Sequence, residues 1–404
     1  MFDLDKRKDS LMKIISTVKD KASNYLATEK SIQVFLTTSV VRNLGLSLWE
    51  PLLGLYVTDN LGISIIIFGL MTTIRQLVTS LTSFPSGFLS DNFGRKRMIT
   101  LSLVFSILAL IILYVSKSLP LLFFVSIFQG LNMAIVRPSK SAYIVDVIPN
   151  ERRGVAFSTL ALLESLSNII AVFIAGVIAT IYGFYLVFIL ALFFQSISLI
   201  GTILYLREPL MRVTSKTNPS QRSLYKQLKN GLTVLKYPPL IAVLLGISFH
   251  QLGLGIEGPY LTIYARDILL FSLPTISIML GLQRLGIFLG QFPSGRVVDK
   301  YGGELSFAFH IFVTTPVMIL FTIMGNPFLA SSILFTWGLT FGLDNVSRQK
   351  LIAKYRSGSG IATAFGVISL ITGCVSLFTP TIGSWVWTKF RLNGSSILQL
   401  QPMF

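Results

Sequence analysis

The stretch FPSGFLSDNFGRKR, Phe84–Arg97, returns in altered form as FPSGRVVDKYGG, Phe292–Gly303. The copies lie 208 positions apart. In each, an aspartate follows the FPSG glycine by four residues (Gly87 to Asp91, Gly295 to Asp299), and a second glycine follows by three more (Gly94, Gly302). The offset extends beyond the motif. LGLSLWEPLLGLYVTD (44–59) meets LGLGIEGPYLTIYARD (252–267) at the same spacing, with Leu, Gly, Leu, Pro, Leu, Tyr and Asp coinciding. Two stretches in one register predict two similar halves in parallel orientation.

The chain has 404 residues, of which 52% are hydrophobic and 13% charged, and its mean hydropathy is +0.71. Soluble domains carry about a quarter charged residues, so the composition is that of a membrane protein. Apolar runs about 20 residues long suit bilayer-spanning helices. They fall at roughly 31–57, 62–89, 97–116, 120–147, 153–180 and 184–206, then 238–265, 272–298, 304–324, 327–347 and 359–387. The expected fold is an all-α membrane protein of two parallel six-helix-type repeats. The second repeat is expected to lack a full twelfth helix, because RLNGSSILQLQPMF after Phe390 is too short to cross about 30 Å of hydrocarbon. The expected division is a basic N-terminal segment (1–30), a first repeat (31–206), a basic linker (207–237) and a second repeat (238–404). Leu11, Ile14, Ile15 and Val18 lie at helical spacing, so the N-terminal segment reads either as a surface helix or as a basic tail.

The formal net charge is +17. Nucleic acid is not the expected partner, because the cations sit in gaps between apolar runs. Alternate gaps hold the N-terminal lysines, Arg95, Lys96 and Arg97, Arg152 and Arg153, the linker, Lys300, and Arg348, Lys350, Lys354 and Arg356. The other gaps hold little more than Lys117, Arg266, Lys389 and Arg391. The positive-inside rule makes the first set, and the N-terminus, cytoplasmic. A lone Cys374 and two histidines exclude a disulfide framework and argue against a metal site. No phosphate loop of the form G-x-x-x-x-G-K-S/T is present. No catalytic constellation stands out, so no enzyme, cofactor or metal is expected.

GFLSDNFGRKR resembles the signature loop between the second and third helices of the major facilitator superfamily. The pattern falls on Gly87, Ser90, Asp91, Phe93, Gly94, Arg95 and Lys96. VIPNERRGVAFS (147–158) is similar to the loop before the family's fifth helix. The resemblance covers nearly the whole chain. It implies a multi-pass secondary transporter of the plasma membrane, moving a small solute by rocker-switch alternating access, with or without a coupled proton. The lipid bilayer is its other partner, and a monomer is favoured. It also implies a latch at Gly87, Asp91, Gly94, Arg95, Lys96, Asp299 and Gly302. Asp91 would face the start of the eleventh helix and Asp299 the fifth, each carboxylate against a positive helix end. Two drug-antiporter features are absent: Ser126 stands where those members carry arginine, and helix five lacks their Gly-Pro-x-x-Gly-Gly element. The rival reading is a non-transporting protein of this fold, a sensor or a degenerate paralogue.

Charges at membrane depth are costly, so they mark function or internal pairs. Counted at about 1.5 Å per residue, Arg42, Arg137 and Glu164 share one level. Glu50 and Arg75 lie nearer the outside, and Glu257 and Arg284 are their counterparts in the second half. The readings are two structural Glu–Arg pairs, or cavity residues that bind a polar solute or a proton. His250 joins the candidates, although a lone histidine more often packs through a hydrogen bond.

Overall fold

Two long helices start at a capping serine and stop at a glycine. In the computed structural model, which describes residues 30–115, 117–148, 150–209, 238–355 and 371–393, every main element is a helix. Helix α1 spans 30–49 and runs on through a 3-10 turn at Glu50–Leu52 and a π turn at Tyr56–Asn60. Then come α2 (Ile65–Phe93), α3 (Arg95–Val115), α4 (Leu119–Val147), α5 (Asn150–Tyr182) and α6 (Phe184–Tyr205). In the second half α7 runs Pro238–Glu257, breaks at a 3-10 turn Gly258–Tyr260 and resumes over Leu261–Asp267. It is followed by α8 (Leu273–Tyr301), α9 (Gly303–Ile323), α10 (Pro327–Tyr355) and α11 (Thr379–Asn393). The N-terminal segment, most of the linker and the tail in which a twelfth helix was sought lie outside the described residues.

The bounds of α2, α3 and α4 match those of α8, α9 and α10 at the 208-residue offset. The local causes match too. Ser64 accepts from the Ile67 amide at the start of α2, and Ser272 from the Thr275 amide at the start of α8, each at 3.4 Å. Such hydroxyls satisfy amides that a first turn leaves unpaired. The helices stop at Gly94 (φ +102°) and Gly302 (φ +86°), a backbone region that side chains resist. Pro51 and Pro259, equivalent at the same offset, sit where α1 and α7 tighten into 3-10 turns; proline has no amide to donate to the helix. Gly87 lies inside α2, and a Cβ there would meet nothing within 4 Å.

Within each half, α2 packs on α4 and α8 on α10; between the halves, α5 packs on α8 and α2 on α11. Along α8 and α10 the spacing Gly286-x-x-x-Gly290 faces Gly338-x-x-x-Gly342. A Cβ at Gly286 or Gly290 would strike the carbonyl of Phe335 or Leu339, and one at Gly338 that of Gln283. Small residues let backbones touch, which is how helices associate where hydrophobic burial cannot drive them together. Gly130, equivalent to Gly338, meets the Arg75 carbonyl and Val78 of α2 in the same way.

Among the described residues, seven helices (α2–α6, α8 and α9) are long and apolar enough to cross a membrane. Their outward faces carry large apolar side chains such as Phe193, Ile200 and Phe312. The largest apolar core lies at the end of the bundle marked by Asp59 and draws on both halves, including Trp49, Tyr56 and Phe68 with Tyr260, Ile263 and Met279. At the end marked by Gly94 the apolar cores are separate. Phe35, Ile99 and Tyr143 belong to the first half, and Ile247, Phe307 and Leu351 to the second.

Candidate functional site

A cavity of about 1220 Å³ lies between the halves, lined from α1, α2, α4 and α5 on one side and α7, α8, α10 and α11 on the other. Of the charged positions singled out by depth, Arg42, Glu50, Arg75, Arg137, Glu164, Glu257 and Arg284 line it. His250 is not among the lining residues.

At one level Arg42 is 2% exposed and donates from Nη2 to Asn132 Oδ1 of α4, while its Nε and Nη1 find no acceptor. The adjacent Asn43 donates to the Glu164 carbonyl at 2.7 Å and to Ser167 Oγ at 3.0 Å, fixing α1 to α5. Lys140 Nζ of α4 stands 2.5 Å from Glu164 Oε1. Lys140 was missed in the sequence, although it lies one turn from Arg137 and obeys the same depth rule. Arg137 itself is exposed to the cavity and forms no ion pair among the described residues.

At the next level Arg75 Nη1 lies 3.1 Å from Glu50 Oε1, joining α2 to α1. The corresponding Glu257–Arg284 pair is not formed. Arg284 has no ion pair among the described residues and faces Glu50 electrostatically, and its Nε is buried without an acceptor. Glu257 has no hydrogen-bond or ion-pair partner among them. The cause is register. Glu257 sits one position before the equivalent of Glu50, and Arg284 one position after that of Arg75. One helical position is about 100° of rotation, and opposite displacements turn the two side chains apart.

His250 belongs to a different cluster in the second half. Its Nε2 is 4.0 Å from Asp344 Oδ1, and its ring lies edge-on to His310 at 5.1 Å. His310 Nδ1 is 3.1 Å from Thr340 Oγ1, and Asp344 forms an ion pair with Arg348 one turn along α10. The ligand atoms of His250, His310 and Asp344 lie within 4.8 Å of one another, so this trio could hold a metal. The guanidinium of Arg348 already balances the carboxylate there.

The halves meet at the Asp59 end through polar as well as apolar contacts. Arg266 Nε is 3.4 Å from Asp59 Oδ2, Thr73 and Thr381 share a hydrogen bond of 2.8 Å, and Phe68 meets Tyr260 edge-on at 6.1 Å. At the Gly94 end several polar contacts among the described residues fall within one half. Arg95 Nε pairs with Asp146 at 2.8 Å and Arg95 Nη1 reaches Ser90 Oγ at 3.2 Å. Glu208 accepts from the Arg95 and Lys96 amides at 2.5 and 3.2 Å, closing the start of α3. Lys96 Nζ donates to the Ile203 carbonyl. Asp299 pairs with Lys350 of α10 at 2.8 Å. The side chains of Asp91 and of residues 150–155, at the start of α5, lie outside the described residues.

Two sets of membrane-length helices meeting over a charged cavity define a transporter-type membrane protein. The chain belongs to the Major Facilitator Superfamily, whose family model matches residues 35–380. It is 25% identical over 355 residues to the multi-drug resistance efflux pump PmrA of Streptococcus pneumoniae serotype 4, covering 85% of this chain and 86% of that protein. It is 23% identical over 361 residues to multidrug resistance protein 1 of Bacillus subtilis, covering 88% and 90%. Among solved structures it superposes on the nucleoside transporter NupG with a TM-score of 0.73 at 12% identity, covering 91% of this chain and 94% of that one. A bacterial homologue of the human lysosomal transporter Spinster, in an inward-facing form, gives 0.69 at 16%, covering 92% and 86%. At these identities the structural likeness concerns the fold.

Proposed function

We propose that the chain is a secondary transporter that carries a small organic solute across the plasma membrane by alternating access. Two halves, 31–206 and 238–404, rock about the cavity, and the linker 207–237 joins them on the cytoplasmic side. The observation that carries this reading is the asymmetry of the cores. One apolar cluster knits both halves at the Asp59 end, whereas among the described residues at the Gly94 end each half keeps its own. A carrier joined at one end and parted at the other has its site open to one side only. The basic residues at the Gly94 end, Arg95, Lys96, Arg97, Lys300 and Arg348, argue that this end is cytoplasmic. The conformation is then inward-facing, with Asp299 held by Lys350 in its own half. On closing, Asp91 and Asp299 meet helix starts of the opposite half.

Relatives named as multidrug efflux pumps support export as the direction. Lys140–Glu164 and Glu50–Arg75 are the groups on which a coupled proton would act. The test is solute flux in proteoliposomes with and without an imposed proton gradient. Saturable flux that responds to the gradient is expected for a coupled carrier, and no flux of any solute across a broad panel would favour the non-transporting reading. Topology has its own test. A cysteine at Ser223 in a Cys374→Ser background should resist an impermeant thiol reagent added to intact cells.

A further inference from the structure

We propose that the cavity is built for an organic anion, its carboxylate or phosphate held between Arg42 of the first half and Arg284 of the second. The inference rests on the carrier reading and names the substrate class of that site.

Among the described residues, five cations line the cavity, Arg42, Arg75, Arg137, Lys140 and Arg284, against three carboxylates, Glu50, Glu164 and Glu257. Two of the carboxylates are already paired, Glu164 with Lys140 and Glu50 with Arg75. That leaves Arg42, Arg137 and Arg284 without an ion pair among the described residues, and Glu257 as the unpaired carboxylate; Arg42 and Arg284 feel Glu50 only at longer range. Uncompensated charge at membrane depth is expensive and faces a partner or a pathway. Here the excess is positive, so the missing partner is negative.

The geometry is more specific than the sum. Arg42 is 2% exposed, yet two of its three nitrogens have no acceptor, and the Nε of Arg284 is buried in the same condition. Buried donors are almost always satisfied, and one that is not calls for an explanation such as strain, a water, an ion or a ligand. A guanidinium offers parallel N–H groups that match the two oxygens of a carboxylate or phosphate. Because the two arginines belong to opposite halves, one anion touching both would couple occupancy to the closure of the halves. The rest of the ligand has an organic lining to meet, with Phe68, Phe157, Trp337 and Phe341 on the cavity wall. Glu257, the one lining carboxylate without a partner among the described residues, tells against an anion at its own position, and so provides the sharpest test.

Equilibrium dialysis of the full chain in detergent would use three probes of one shape: 2-naphthoate, 2-naphthyl phosphate and 2-naphthylmethylammonium. At least one anion should bind tenfold tighter than the cation, and the two anionic arms separate carboxylate from phosphate preference. Arg284→Gln should weaken anion binding about tenfold. Glu257→Gln should tighten it about threefold or more, a gain that misfolding cannot produce. The proposal is overturned if the cation binds as tightly as both anions, if neither anion binds at millimolar concentration, or if Glu257→Gln leaves anion binding unchanged or weaker. Flux of cations without anion binding would remove this inference and leave the carrier standing. Anion binding without flux of any solute would do the reverse.

Discussion

Arg266 Nε reaches Asp59 Oδ2 at 3.4 Å, tying the end of α7 to the end of α1 across the two halves. Arg266 is one of the few cations in the gaps that carry little basic charge, and here it serves closure. The Asp59 side chain is 37% exposed and that of Arg266 50%, so the pair is a weak clasp of about 0.2–1 kcal/mol.

Asp59→Asn should therefore leave the fold intact and raise the population open at the Asp59 end by no more than about fivefold. Molar salt should imitate the substitution in the wild type, because exposed charges are screened over about 3 Å at that strength. The rate at which a thiol reagent modifies a cysteine placed at Ser47, on the cavity wall, reports the change. No effect of either treatment would mean that Thr73–Thr381 and the aromatic contacts alone set the closure.

Gly290→Ala should destabilise by about 1–3 kcal/mol, since the added methyl meets the Leu339 carbonyl and backbone cannot step aside as a side chain can. Gly295→Ala, one turn on in the same helix, meets open space and should be neutral or stabilising by up to about 1 kcal/mol. Thermal unfolding of the two variants in detergent makes the comparison, and equal melting temperatures would refute the backbone contact.

For Glu50 and Arg75 the pair should show as coupling. Each single change, Glu50→Gln or Arg75→Gln, leaves one charge unpaired at membrane depth and should lower stability by about 1–3 kcal/mol. The double variant should recover most of that loss. A double-mutant cycle from melting temperatures measures the interaction, and strictly additive losses would show that the 3.1 Å contact contributes nothing.

Glu208 lies at the edge of the linker and closes the start of α3. Its removal in Glu208→Ala should cost about 0.5–2 kcal/mol, the range for a lost N-terminal cap. Gly94→Ala should cost at least as much, because it strains a φ of +102° and pushes the Glu208 carboxylate away. Combining the two should cost less than their sum if both act on this one contact.

The architecture was legible because the repeat is written in residues that shape backbone. Gly94 and Gly302, Pro51 and Pro259, and Ser64 and Ser272 stop, bend and start helices at one offset, and none of them needs a distant partner to do so. The charged positions were legible in depth but not in facing. Counting along a helix put Arg42 and Glu164 at one level, yet it could not show that Lys140 takes Glu164 or that Asn132 takes Arg42. Of the two readings open for Glu257 and Arg284, the pair is not formed, because a one-position shift, small along the chain, is a large rotation around the helix. His250, His310 and Asp344 come together only through the packing of α7, α9 and α10. The two G-x-x-x-G spacings on α8 and α10 could have been read, but their mutual contact could not.

Distances at the two ends of the bundle test alternating access most directly. Spin labels at Val115 and Ile323 report the Asp59 end, and labels at Arg97 and Leu305 report the Gly94 end, all in a Cys374→Ser background. Double electron–electron resonance in lipid nanodiscs, with and without saturating 2-naphthoate and in Asp59→Asn, gives the distances for each pair. Rocking of two halves predicts that one distance lengthens where the other shortens. Distances that stay fixed in every condition, or that change in the same sense at both ends, would contradict it.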